Sequence, residues 1–101
     1  MLAFPCNQFG AQEPGTNAEV LEFARSKYGV EFPMFEKIDV NGDGACELYR
    51  FLKTGNPDEE GDEDIKWNFT KFLVGKDGQV IQRFGPKTTP EEIGEALQSH
   101  L

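Results

Sequence analysis

Three side chains of this 101-residue chain could together steady an anion: Gln12, Trp67 and Asn68. The Gln12 amide donates and accepts hydrogen bonds, the Trp67 indole offers an N–H, and Asn68 adds a second amide. Neutral donors suit a thiolate or selenolate, because they stabilise its charge without supplying a competing acid. Gln12 follows an apolar run ending in Pro5-Cys6-Asn7-Gln8, where the chain turns through Gly10 and Pro14-Gly15. Strand ends in α/β sheets are where sites gather. Trp67 and Asn68 open a second, β-rich run after a polar loop. Each also has an ordinary reading: Gln12 as a solvated loop residue, Trp67 as a core aromatic, Asn68 as a turn residue at the head of a strand. Linear order alone does not bring the three together.

Other chemistry-bearing residues give weaker patterns. Cys6 and Cys46 stand 40 residues apart and form neither a CxxC pair nor a zinc pattern. Both read as small buried or incidental thiols. His100 is the single histidine and lies near the C-terminal end, which leaves little material for a Cys/His or Ser/His/Asp arrangement. Asp39-Val40-Asn41-Gly42-Asp43-Gly44 meets the first positions of a calcium loop. Its twelfth position is Arg50, where a bidentate Glu is needed, and Pro33 interrupts the helix that should lead in. The acidic run from Asp58 has no glycine at its sixth position and Phe69 at its twelfth, so calcium binding is not expected there either.

The elements that must position these residues follow from periodicity. Residues 1–6 read as the end of a buried strand, and 7–17 as a loop with Asn17 as helix N-cap. A helix over about 18–27 presents Val20, Leu21, Phe23 and Ala24, and Gly29 stops it. Val30 to Ile38, broken by Pro33, is a short extended or edge segment. Asp39 to Gly44 is turn-like. Glu47 to Lys53 is a short helix packing Leu48, Phe51 and Leu52, and Thr54 to Asp64 is a polar, acidic loop. Trp67 to Val74, the turn Gly75 to Gly78, and Gln79 to Phe84 read as a β-hairpin. Thr89 caps a last helix with Pro90 at its first position, Glu91 and Glu92 in its first turn, and Ile93, Ala96, Leu97 and Leu101 facing inward.

Composition sets the bounds. A chain this long is one small domain, residues 1–101, burying roughly 65% of the surface its unfolded form exposes. Apolar residues make up 38%, enough for one modest core. The net charge of −8 comes from 10 basic against 18 acidic residues. That balance argues against nucleic acid, which needs clustered Lys and Arg, and gives no support for anionic membranes. The run Asp58 to Asp64 reads as a solvated loop. No stretch approaches the ~18 apolar residues of a membrane span, and the residues after Met1 do not read as a signal peptide. Two cysteines make no disulfide framework, so a reducing, cytoplasmic location is expected.

Two long motifs carry a family resemblance. Leu2-Ala3-Phe4-Pro5-Cys6-Asn7-Gln8-Phe9-Gly10, continuing to Gln12-Glu13-Pro14-Gly15-Thr16-Asn17, resembles a signature run of glutathione peroxidases. Lys66-Trp67-Asn68-Phe69-Thr70-Lys71-Phe72-Leu73 resembles a second. Asp39-Val40-Asn41-Gly42 and Arg83-Phe84-Gly85-Pro86 also fit, so the likeness runs over essentially the whole chain. The resemblance implies a thioredoxin-like α/β sandwich and the thiol-dependent reduction of hydrogen peroxide and of organic and lipid hydroperoxides. In the family a selenocysteine or cysteine attacks the O–O bond, becomes a selenenic or sulfenic acid, and is then reduced by thiols.

Carried over by motif, the supporting Gln, Trp and Asn fall at Gln12, Trp67 and Asn68, with Gln12 rather than Gln8 the matching glutamine. The attacking residue precedes the Phe-Pro-Cys-Asn-Gln-Phe motif in the family, so Cys6 does not match it. The N-terminal part of the fold, with the central strand bearing that residue, is expected to be absent here. Phe23-Ala24-Arg25-Ser26-Lys27 lacks the resolving cysteine that cysteine-dependent members using thioredoxin-like donors often carry in this helix. The resemblance therefore implies glutathione, or else a small redox protein of the thioredoxin type, as reductant, with no prosthetic cofactor or metal. The short loop from Lys53 to Ile65 resembles the monomeric phospholipid-hydroperoxide branch. The chain alone is expected to be inactive and, with unpaired strand edges and exposed apolar surface, poorly stable. A non-catalytic thioredoxin-like remnant or binding module is the alternative.

Overall fold

The structure, a computed structural model, describes residues 1–57 and 61–99. Its elements run α1 (Asn17–Tyr28), α2 (Glu47–Gly55), β1 (Lys71–Val74), β2 (Val80–Phe84) and α3 (Pro90–Gln98). They fall into two compact units, Met1–Cys46 and Glu47–Leu101. His100, Leu101 and the acidic residues Asp58, Glu59 and Glu60 lie outside the described residues.

In the first unit the expected strand over residues 1–6 is reduced to one parallel bridge, Ala3 with Met34. The Ala3 N–H donates to the Pro33 carbonyl at 3.0 Å, and the Phe35 N–H donates to the Ala3 carbonyl at 2.9 Å. The ladder stops one step later because Pro5 has no N–H to give. The Pro5 carbonyl still accepts the Ile38 N–H at 3.0 Å. Phe4 and Phe35 stack beside this bridge, ring centroids 4.8 Å apart.

The expected cap of α1 moves by one residue. Thr16, not Asn17, is the N-cap: its side chain accepts the Glu19 N–H, and the Glu19 carboxylate answers the Thr16 N–H, a capping box. Asn17 is freed for a longer reach, its Oδ1 accepting the Lys37 N–H at 2.8 Å. Gly29 ends the helix at φ 64°, a left-handed conformation that favours glycine. Phe9, Val20, Val40 and Ala45 are the buried apolar residues of this unit.

In the second unit the helix after Cys46 forms where expected, but its buried face differs. Leu52 is buried, whereas Leu48 and Phe51 are exposed and the stem of Lys53 is covered instead. The hairpin is present with a shorter first strand. Register runs Lys71↔Phe84, Phe72↔Arg83, Leu73↔Gln82 and Val74↔Val80, with an irregularity at Leu73/Val74. Gly78 turns the chain at φ 83°, and its N–H donates to the Gly75 carbonyl at 3.0 Å. Thr89 caps α3 with a second capping box to Glu92 and Pro90 in the first turn, as expected. Ile93, Ala96 and Leu97 are half-buried. Ile65 and Phe84 join Leu52 in the buried set. No helix among the described residues is long and apolar enough to cross a membrane.

Candidate functional site

Gln12 lies on an exposed loop of the first unit that passes through two left-handed residues, Gly10 (φ 66°) and Ala11 (φ 51°). Polar anchors fix this loop from both ends. The Asn7 Oδ1 accepts the Glu13 N–H at 2.9 Å, and the Lys37 ammonium donates to the Gly15 carbonyl. Gln12 lines an open depression of ≈ 300 Å³ with Glu13, Pro14, Glu19 and Phe23. Glu19 at its edge titrates below the ordinary glutamate range, because it accepts the Thr16 backbone N–H, then the Thr16 hydroxyl, with the Lys37 charge a smaller cause.

Gln8 organises the neighbouring loop in a way the sequence motif did not announce. Its Oε1 accepts the Val40 N–H at 2.8 Å and the Asn41 N–H at 3.1 Å, while its Nε2 donates to the Asn41 carbonyl at 2.9 Å. One amide thus holds the Asp39–Gly44 turn against the Cys6–Gly10 segment. The Cys6 sulfur sits inside this arrangement, 3.5 Å from both the Gln8 N and its Oε1. Cys46 closes the same turn from its far side, its N–H donating to the Asp39 carbonyl at 3.0 Å. Both cysteines are half-buried free thiols. Among the described residues no three His, Cys, Asp or Glu side chains gather as a metal site.

In the second unit Trp67 and Asn68 do not open a strand. They form an irregular turn, and β1 begins only at Lys71. Phe69 causes the delay: at φ 59° it is left-handed, a conformation that costs an L-residue about 1–2 kcal/mol and breaks the pleat. Strain of this kind clusters at functional segments. The Thr70 hydroxyl donates back to the Trp67 carbonyl at 3.0 Å and closes the turn. Trp67 is 44% exposed and Asn68 half-buried. Below the turn Lys71 donates to the Pro86 and Thr88 carbonyls at 3.3 and 2.8 Å, and burial pushes its pKa below the usual lysine value.

Over its described part the acidic loop ahead of the turn is exposed to solvent, as expected, and it is also tied down. Lys66 pairs with Asp62 at 3.0 Å and Lys53 with Asp64 at 3.6 Å. The Arg83 guanidinium grips the loop's backbone carbonyls. Arg83 stands in one of the motif fragments, yet nothing in its spacing pointed to this contact.

Comparison with known proteins adds what each unit alone cannot. A family model described as Glutathione peroxidase matches residues 1–53. The chain belongs to the glutathione peroxidase family. A probable phospholipid hydroperoxide glutathione peroxidase 6, mitochondrial, of Arabidopsis thaliana is 57% identical over all 101 residues, which cover 43% of that protein. A hydroperoxy fatty acid reductase gpx1 of Synechocystis is 48% identical over the whole chain, covering 63% of its own length. The solved structure of Trgpx in apo form superposes with TM-score 0.78 and 43% identity, covering 98% of this chain and 55% of that one. The chain therefore has part of the thioredoxin-like α/β fold expected from the sequence. The chain spans about half the length of the relatives it matches.

Proposed function

We propose that these 101 residues carry the supporting side of a hydroperoxide-reducing site, with Gln12, Trp67 and Asn68 as neutral donors to an attacking thiolate or selenolate. The carrying observation is the state of Trp67. It is the only tryptophan in the chain, yet it is 44% exposed on a strained turn. A tryptophan kept for packing would be largely covered, since its area dominates core energetics. Asn68 shares that turn, and Gln12 stands on a loop open to solvent.

Neither cysteine takes the attacking role in this reading. Cys6 is engaged by the Gln8 amide and Cys46 sits in a closed turn, and neither matches the family's attacking position. That residue comes from polypeptide outside these 101, and the chain by itself lacks peroxidase activity. The substrates are hydroperoxides, including lipid hydroperoxides as the names of the relatives indicate. Glutathione or a thioredoxin-type protein is the reductant, and no prosthetic cofactor takes part. The complete enzyme is a monomer. Two free thiols suit a reducing compartment, the cytoplasm first, although the Arabidopsis relative is named as mitochondrial.

A chimera tests this directly. Residues 1–101 replace the aligned segment of the Arabidopsis relative, and hydroperoxide reduction is followed with glutathione or thioredoxin as donor. Activity is expected, and Gln12→Ala, Trp67→Ala or Asn68→Ala should each lower it by on the order of a hundred- to a thousand-fold, as loss of a charge-stabilising donor does. A chimera that folds but is inactive, or three variants as active as their parent, would remove the reading.

A further inference from the structure

We propose that Arg83 is the positioning residue for the Trp67–Asn68 turn, closing the loop that carries it at both ends. Its backbone pairs with Phe72 across the hairpin, just beyond the C-terminal end of that loop. Its guanidinium reaches the N-terminal end, with Nη1 donating to the Glu63 carbonyl at 2.9 Å and Nη2 to the Asp64 carbonyl at 2.8 Å. A longer contact from Nη1 reaches the Asp62 carbonyl at 3.5 Å. The guanidinium also lies over the Phe72 ring, 5.4 Å from its centroid. One residue therefore fastens residues 62–64 to residue 72, and the turn lies between them. Ile65, 4% exposed, anchors the descending limb from inside.

The choice of arginine follows from the acceptors. Successive backbone carbonyls require a planar fork that donates in more than one direction, and an aromatic face beneath favours a weakly hydrated, delocalised cation. A lysine ammonium would preserve the charge but not the fork. Between the two fastened ends the chain must hold Phe69 left-handed, a strained state that persists when its surroundings over-determine it. Releasing one end gives the turn a route to relax, and Trp67 and Asn68 would lose their fixed direction.

The importance of this placement for catalysis rests on the proposed role of Trp67 and Asn68, but its test does not. Trp67 is the sole tryptophan, so fluorescence of the 101-residue chain reports on this turn alone. The measurement is acrylamide quenching of wild type, Arg83→Lys and Thr89→Ala, with far-UV circular dichroism recorded on each. Thr89→Ala weakens the same unit by removing the α3 cap and is remote in sequence from the turn. Arg83→Lys should raise the quenching constant by roughly two-fold, as a ring now 44% exposed opens fully. It should also lower Trp67 anisotropy while leaving the dichroism intact, and Thr89→Ala should change neither fluorescence readout. Unchanged quenching in Arg83→Lys would overturn the proposal. So would equal effects in both variants, or loss of dichroism in Arg83→Lys, since either would make Arg83 a support of the whole unit. Failure here would leave the chimera's activity unaffected, and an inactive chimera would leave this fluorescence result standing.

Discussion

The two units differ in the means that dominate where their irregular segments are fixed, although the first also sets a cation, Lys37, on the Gly15 carbonyl and the second an amide, Asn56, on the Ile81 carbonyl. In the first, amide side chains capture backbone groups far along the chain: Gln8 holds Val40 and Asn41, and Asn17 holds Lys37. In the second, cations take carbonyls: Arg83 holds Glu63 and Asp64, and Lys71 holds Pro86 and Thr88. The second unit also has a hairpin ladder, whereas the first has two isolated parallel bridges, Ala3 with Met34 and Asp39 with Ala45; each unit has a helix with a capping box. Loops shaped by specific hydrogen bonds should therefore be most sensitive in the first unit to lost partners, and the second most sensitive to lost volume.

The largest expected effect is in the second unit. Phe84, 7% exposed at the end of β2, should cost about 3–5 kcal/mol on replacement by alanine. Amide exchange resolved by residue should show the hairpin and α3 losing protection far more than α1. Equal loss in both units would erase the contrast. Next comes Gln8→Ala, which strips the partners from the Val40 and Asn41 amides. Val40 is 3% exposed, so its orphaned N–H should cost about 1–3 kcal/mol. Faster exchange at Val40 and Asn41 with the hairpin unchanged is the expected pattern, and an unaffected Val40 amide would contradict it.

The two capping boxes offer a matched pair. Thr16→Ala and Thr89→Ala should each cost about 1 kcal/mol, seen as local fraying of α1 and α3 respectively. A much larger effect at Thr16 would mean that the α1 cap also secures the Gln12 loop, which sharpens the account of the first unit. The smallest effect is one of pH. Glu19 has its folded pKa depressed, so its support for α1 is full above the ordinary glutamate range and fades as pH falls through the depressed value. Acid titration followed by the exchange of α1 amides should show this fraying, and Glu19→Gln should flatten it. An identical acid response in the variant would rule Glu19 out as its source.

Local chemistry made much of this legible in the sequence. Gly29, Gly78, Thr89 and Pro90 act where their types predict, because caps and turns depend on nearest neighbours. Asn17 misled because its preference for capping was overridden by a donor 20 residues away, the Lys37 N–H. Trp67 to Thr70 read as strand by composition, but one left-handed residue, Phe69, takes them out of the sheet. The apolar positions Leu48 and Phe51 suggested a buried face, yet the lysine stem at 53 is covered in their place. Gln8 and Arg83 were invisible for a common reason: their partners are backbone atoms, which leave no mark on residue type. The proposed donors Gln12, Trp67 and Asn68 rest on motif, not on pattern, since separations of 55 and 56 positions carry no periodic signal.

The central claim is that this chain supports peroxide chemistry without supplying the attacking group. The direct measurement is the rate at which the isolated 101-residue chain reduces a hydroperoxide with glutathione, set against an equal concentration of free thiol. The account predicts no excess over that background. A rate well above it, abolished by Cys6→Ser or Cys46→Ser, would contradict the account and give the attacking role to a thiol of this chain.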